Sequence, residues 1–296
     1  MSRIHDALKK AAEERAARSA KISSEDACEI AKEIRQPVLP AEGSTPARRI
    51  SAERARTHSP VFEDLLQRCA HRRWNTNPAN DVFENDETKS GGAECFRVLR
   101  SRIYHLAGAR SLKRILVTSS LPGEGKTFVA ANLARSIIRQ PERRVLLIDG
   151  DLRARSLHMV FGAAPEPGLS DYLSGEADEY QVIQHGPIEN LCIVAAGSEA
   201  QDPGELLLKD RMKKLLEFAT PIFDFIIMDS PPVIPVHDAS SLADLADGTV
   251  FVVRAGTTAH DVATKAAAEF KNKNILGVVL NGAGPESAYG RYYGRY

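Results

Sequence analysis

The stretch SSLPGEGKTF at residues 119–128 sets a lysine and a threonine directly behind two glycines. Gly123 and Gly125 allow the backbone to turn its N–H groups toward one point, Lys126 adds a cation there, and Thr127 adds a hydroxyl. That is the chemistry of holding phosphate and magnesium at a helix N-terminus. The stretch fits the end of the phosphate-loop pattern G-x-x-x-x-G-K-[ST], with Ser120 standing where the pattern begins with glycine. Two other loops carry acids. LLIDGDLRARS contains Asp149 and Asp151, and FIIMDSPP contains Asp229. Carboxylates that follow buried strands converge on one crevice, where they orient magnesium or accept a proton. For Asp151 a cap on the following helix is the alternative.

The chain has seven tyrosines, and Tyr289, Tyr292, Tyr293 and Tyr296 fall in its closing segment SAYGRYYGRY. A glycine-spaced terminus gives aromatic rings nothing to pack against, so these phenols are presented to some other site or form a sticky tail.

The elements that must position these groups are legible as alternating runs. KRILVTSS, RRVLLIDGD, NLCIVAAG, FDFIIMDSPP, GTVFVVRAG and ILGVVLNGAG are unbroken apolar segments, expected as strands buried on both faces of a parallel sheet. TFVAANLARSII, GELLLKDRMKKLLEFA and TAHDVATKAAAEFKNK lie between them with helical character. The expectation is a doubly wound, mostly parallel α/β fold of the P-loop NTPase kind over residues 91–284. Ile4, Leu8 and Ala11 form a narrow stripe over residues 1–20, read as a docking helix or as a solvated one. Residues 21–90 read as a largely disordered linker in which only SPVFEDLLQRCAHRRW has helix-forming character, and residues 285–296 as a tyrosine-cluster tail.

Composition narrows the function classes. Thirty-nine basic and 39 acidic residues cancel, so no global field favours nucleic acid. Cys28, Cys69, Cys95 and Cys192 form no CxxC pair, which disfavours a zinc or disulfide framework and suits a reducing compartment. The longest apolar runs are of strand length and MSRIHDALKK has no signal-peptide core, so a cytoplasmic protein is expected, for which any membrane role requires a partner.

Taken together these residues resemble the bacterial tyrosine kinases of exopolysaccharide and capsule loci, P-loop autokinases unrelated to the eukaryotic kinases. SSLPGEGKT is similar to that family's Walker A, LLIDGDLRARSLHMVFG to its Walker A' loop and FIIMDSPP to its Walker B. DPGELL resembles a segment that usually reads Asn-Pro, Asp202 being the departure, and MSRIHDALKKA resembles autokinases of exosortase-type systems. The resemblance implies ATP and Mg2+ as cofactors. It implies nucleotide contacts from Ser120, Pro122, Gly123, Glu124, Gly125, Lys126, Thr127, Phe128, Arg153 and Asn281, with Asn281 beside the adenine. Lys126, Asp149, Asp151 and Asp229 are its catalytic candidates. Asp149 takes the phenolic proton, and Thr127, Asp151 and Asp229 organise the metal, the base and metal roles being exchangeable. The tail tyrosines become the phosphate acceptors.

A second family motif, Glu-x-x-Arg-x-x-Arg, occurs as Glu94, Arg97 and Arg100. Three-residue steps keep these on one helical face, while Phe96, Leu99, Ile103 and Leu106 take another. By resemblance the charged face seats against a neighbouring subunit in a homo-oligomeric ring; an intrahelical Glu–Arg pair on a solvated face is the other reading. The implied partners are a transmembrane polysaccharide co-polymerase as activator and a phosphotyrosine phosphatase. Two rival functions share the loop. A partition or septum-site ATPase carries an extra lysine where this chain has Leu121, and an ATP-binding switch would regulate export by docking alone.

Overall fold

The computed structural model describes residues 60–84, 91–109, 111–234, 236–270 and 272–284. Its core is an eight-stranded sheet in the order β1-β4-β5-β3-β6-β2-β7-β8. In chain order the strands are β1 (Ala70–His71), β2 (Arg114–Ser119), β3 (Val145–Asp149), β4 (Ile183–His185), β5 (Leu191–Val194), β6 (Phe225–Asp229), β7 (Gly248–Arg254) and β8 (Ile275–Asn281). Neighbours run parallel except β4 and β5. All residues of β3, β5 and β6 are buried, as continuous apolar runs require when both faces are covered.

Alternate strand residues divide between two apolar layers. On one face Ile115, Val117, Leu147 and Ile227 meet α2 (Gly91–Ala109) and α3 (Lys126–Ile138) through Phe96, Ile103, Leu133 and Ile137. On the other, Leu116, Leu146, Ile226 and Met228 meet α1 (Pro60–Arg68), α8 (Asp210–Ala219), α9 (Asp238–Leu245) and α10 (His260–Glu269). Shorter helices α4 (Leu157–Phe161), α5 (Leu169–Ser174), α6 (Glu179–Val182) and α7 (Pro203–Leu207) complete the connections. The result is the expected doubly wound, mostly parallel sheet.

Three features differ from expectation. Residues 60–84, assigned to the linker, join the domain. Phe62 and Leu65 are fully buried, Phe62 meets Phe223 edge to face at 5.8 Å, and β1 pairs with β4. The apolar residues of α1 recur at helical spacing within a segment that is polar on average, so composition concealed them. Second, β8 is an edge strand with Val278 and Leu280 exposed, so an apolar run here does not mean burial on both faces. Third, the helix read across GELLLKDRMKKLLEFA is two, because Lys209 is extended and opens α8 as its N-cap. The N-terminal docking helix, the rest of the linker up to residue 59 and the tail tyrosines lie outside the described residues.

Candidate active site

Between β2 and α3 the chain turns sharply. Gly123 and Gly125 have φ of 80° and 91°, left-handed values that favour glycine. Gly125 is the N-cap of α3 and supplies no side chain to cap it, so the first N–H groups of the helix are turned to the loop. A Cβ on Gly125 would also lie 2.1 Å from Asn281 Nδ2. Asn281 closes β8 and donates from that amide to the Glu124 carbonyl at 2.8 Å. The end of the sheet's edge strand is thus fastened to the loop.

Glu124 is buried at 2% exposure, and its carboxylate braces the loop from within. It accepts from Leu121 N at 2.7 Å, from Arg254 N at 3.4 Å and from the Thr258 hydroxyl. Its side chain is therefore engaged by the protein. Phe128 packs against Phe96 of α2 with ring centroids 6.1 Å apart, so its ring belongs to the α2–α3 contact.

The three acids come together as their strand ends require. Asp149 and Asp229 are register partners at the ends of β3 and β6, and Gly150 N donates to the Asp229 carbonyl at 2.7 Å. Asp151 pairs through Oδ2 with Lys126 Nζ at 2.8 Å while Oδ1 accepts from Ala154 N at 3.0 Å, so it caps a turn and faces the loop at once. Asp149 accepts from Asp151 N at 3.2 Å and from Leu157 N, the first residue of α4, at 2.9 Å. Asp229 Oδ2 accepts from the Thr127 hydroxyl at 2.6 Å, whereas its buried Oδ1 has no hydrogen-bond partner.

Electrostatics follow from this crowding. Burial first, and then the facing Asp229 charge, push the Asp149 carboxyl well above the usual carboxylate range. Burial likewise raises Asp229, with Lys126 and the Thr127 hydroxyl pulling it back. Burial works against the Lys126 charge, but Asp229 and Asp151 outweigh it and hold the ammonium above its ordinary value.

The donor set fits a magnesium nucleotide. An open helix N-terminus and a lysine suit phosphate, and Thr127 Oγ1 beside the unpartnered Asp229 Oδ1 suits a metal that takes few protein ligands and completes its shell from phosphate and water. Among the described residues no group of three His, Cys, Asp or Glu is arranged to hold a metal by itself. The Ser120 hydroxyl is buried beneath the loop, also without a partner.

Arg153 turns to Asp238 at the start of α9, its Nε 2.8 Å from Oδ2 and its Nη2 3.4 Å from Oδ1. The departure at Asp202 is conservative in effect: its carboxylate accepts from Glu205 N at 3.3 Å as the N-cap of α7, a role asparagine also performs. In the Glu-x-x-Arg-x-x-Arg motif, Glu94 and Arg97 pair within α2 at 3.1 Å, and Arg100 donates to the Ser136 carbonyl of α3 at 2.5 Å. Sequence reasoning missed Ser156, 3.3 Å from the Thr127 hydroxyl, and Arg254, which donates to the Gly123 carbonyl at 3.2 Å. Ser156 closes the LLIDGDLRARS loop but was not singled out there, and Arg254, at the end of β7, arrives through tertiary structure.

Comparison with known proteins agrees with this geometry. The family described as "CobQ/CobB/MinD/ParA nucleotide binding domain" matches residues 115–293. Tyrosine-protein kinase YwqD of Bacillus subtilis is 36% identical over 219 residues, 72% of this chain and 91% of YwqD. Tyrosine-protein kinase etk of Escherichia coli K12 is 35% identical over 199 residues, 67% of this chain but 27% of etk, so the chain spans about a quarter of that longer relative. The solved kinase domain of Escherichia coli ETK superposes with a TM-score of 0.61 at 34% identity, over 64% of this chain and 75% of that one. The septum-site protein MinD of Pyrococcus horikoshii, solved with Mg-ADP, reaches 0.51 at 26% identity, over 60% and 72%. The likeness therefore runs through the whole nucleotide-binding fold and is stronger toward the kinases than toward MinD, and on it the chain belongs to the bacterial tyrosine kinase family.

Proposed function

We propose that this protein is an ATP-dependent protein-tyrosine kinase that phosphorylates Tyr289, Tyr292, Tyr293 and Tyr296 of its own C-terminal cluster. The observation that carries the reading is the meeting of Lys126 and Thr127 with Asp149, Asp151 and Asp229 at one corner of the sheet. The names of the relatives support the tyrosine as acceptor, and the Mg-ADP of MinD supports the cofactor.

In this reading the N–H groups at the start of α3 hold the nucleotide phosphates, and Lys126 neutralises charge on the terminal one. Magnesium, when bound, supplies further positive charge to the phosphate oxygens; Thr127, Asp229 and Asp151 would hold it. Asp149 takes the phenolic proton as the tyrosine oxygen bonds to the terminal phosphorus and the bond to the departing diphosphate breaks. Its raised proton affinity suits that task. Positioning and charge neutralisation do most of the work in such transfers.

We infer the physiological setting from the family. The kinase acts in the cytoplasm at the inner membrane, activated by a transmembrane polysaccharide co-polymerase and reversed by a phosphotyrosine phosphatase. Transfer occurs between neighbours of a homo-oligomeric ring, to regulate exopolysaccharide or capsule export. Among the described residues no helix is long and apolar enough to cross a membrane. The test is phosphotyrosine mass spectrometry of the protein expressed alone, beside Lys126→Met. Tail phosphotyrosine in the wild type and none in the variant is the expected result; equal labelling in both overturns the assignment.

A further inference from the structure

At the sheet edge far from β8, the ends of β1 and β4 form an open cleft of about 470 Å³ that has no part in the site above. Cavities of about 300–1,000 Å³ are of ligand size. Its lining is cationic and aromatic: His71, Arg72, Arg73, Trp74, His185 and Gly186. Trp74 is 8% exposed and lies edge to face on Phe161, with centroids 5.5 Å apart. Gly186 lies so close to the indole that a Cβ there would fall 2.2 Å from Trp74 Cδ2. The wall is therefore built around the indole, yet the indole N–H, a donor only, has no acceptor. His71 and His185 meet edge to face at 5.4 Å. Arg72 and Arg73 are exposed and make no ion pair among the described residues.

An aromatic wall rimmed by two exposed guanidiniums and two imidazoles, of which His71 is held by the Leu66 carbonyl, matches a ligand that joins an aromatic ring to a dianion. Guanidinium forks suit phosphate oxygens and also lie well on aromatic faces. We infer that this cleft binds phosphotyrosine, supplied by the phosphorylated tail of a second copy of this chain. The inference rests on the kinase reading for the origin of the phosphate. Of the chain's own tail, Tyr289 falls short, and Tyr292, Tyr293 and Tyr296, at most about 40–54 Å past Asn281, could arrive only by stretching across the whole sheet. Eight strands place β1 roughly 33 Å from β8 at about 4.8 Å per spacing. Tyr289, eight residues past Asn281, reaches at most about 29 Å. Because β4 is antiparallel to β5, the cleft also lies at the end of the sheet opposite the phosphate loop.

Trp74 is the sole tryptophan, so its fluorescence reports on this cleft alone. Full-length Lys126→Met protein is titrated with a synthetic peptide of residues 285–296 carrying phosphotyrosine, with the same peptide unphosphorylated, and with a phosphotyrosine peptide of unrelated sequence. A saturating change with the phosphorylated tail, at least tenfold weaker with both other peptides and in Arg72→Ala/Arg73→Ala, supports the inference. Unchanged melting of the double variant shows that its fold is kept. Equal affinity for the unphosphorylated tail, or no loss in the double variant, overturns the site; equal affinity for the unrelated phosphopeptide overturns the tail as its ligand. The peptide's phosphate is installed chemically, so these outcomes are independent of whether the protein is itself a kinase.

Discussion

Asp149 and Asp229 face each other in register across β3 and β6, and both are fully buried. Two such carboxylates resist ionising together, which makes the pair a reservoir for a proton and the least comfortable point of the nucleotide-free fold.

That discomfort has a sign. Both groups have folded-state proton affinities above the ordinary carboxylate value, so the folded state binds more protons than the unfolded one. The associated stability is fully present at acid pH, below the ordinary carboxylate value, and is lost as pH rises through the folded values. Asp229→Asn removes the charge while its side-chain oxygen can still accept from Thr127. The variant is expected to melt higher than wild type at pH 8 by on the order of a few °C, with the gap closing toward pH 5. Calorimetry of nucleotide-free protein at both pH values checks this; a gap that widens toward acid contradicts it.

Thr127 satisfies the one oxygen of Asp229 that has a partner. Thr127→Ala therefore leaves a buried carboxylate with neither oxygen paired and removes a proposed metal ligand, and is expected to lower kcat/KM by about 10²-fold or more, the scale of losing a critical polar contact at a phosphoryl-transfer site. Thr127→Ser keeps the hydroxyl and should retain most activity. Steady-state kinetics over a range of Mg2+ distinguishes them; equal losses would remove the hydroxyl from the argument.

Gly125 meets two separate demands, a left-handed φ and the approach of Asn281. Gly125→Ala should abolish measurable nucleotide binding. Adding Asn281→Ala relieves the collision but not the backbone, which still costs about 1–2 kcal/mol, so rescue is expected to be partial. Calorimetric titration with a non-hydrolysable ATP analogue tests this, full rescue meaning that φ is unimportant.

Glu94 and Arg100 share a motif but differ in surroundings. Glu94 pairs with Arg97 near the surface of α2, and exposed pairs contribute about 0–1 kcal/mol. Arg100 holds a backbone carbonyl of the neighbouring helix. Arg100→Ala is expected to lower the stability of the dilute protein by about 1–2 kcal/mol and Glu94→Ala by less than about 0.5 kcal/mol. Both should weaken transfer from a tailless active variant onto the tail of Lys126→Met in mixtures. Denaturant unfolding gives the first comparison and phosphotyrosine blots the second. Undiminished transfer would remove this face from the ring.

The meeting of the loop with the three acids was legible because each of those segments is local. SSLPGEGKTF and the two acid loops each follow a buried run, and a parallel sheet brings such ends together whatever lies between them. The braces were not legible. Glu124 is separated from Thr258 by 134 residues, and Asn281 from Glu124 by 157, so no window of sequence contains either contact. β1 and β4, of two and three residues, are too short to show a period. Only their pairing, and the burial of Phe62 and Leu65 nearby, shows that the domain begins before residue 91.

Arg100 has a consequence for how assembly could be governed. Ser136 lies in the last turn of α3, where carbonyls lack helical partners, and α3 runs about 20 Å back to Lys126 and Thr127 at its other end. A neighbour that recruits the guanidinium contact now made to Ser136 must uncap the helix that carries Lys126. A contact that drew Arg100 to a neighbouring molecule would leave the last turn of α3 without this partner, and its release would cap that turn again.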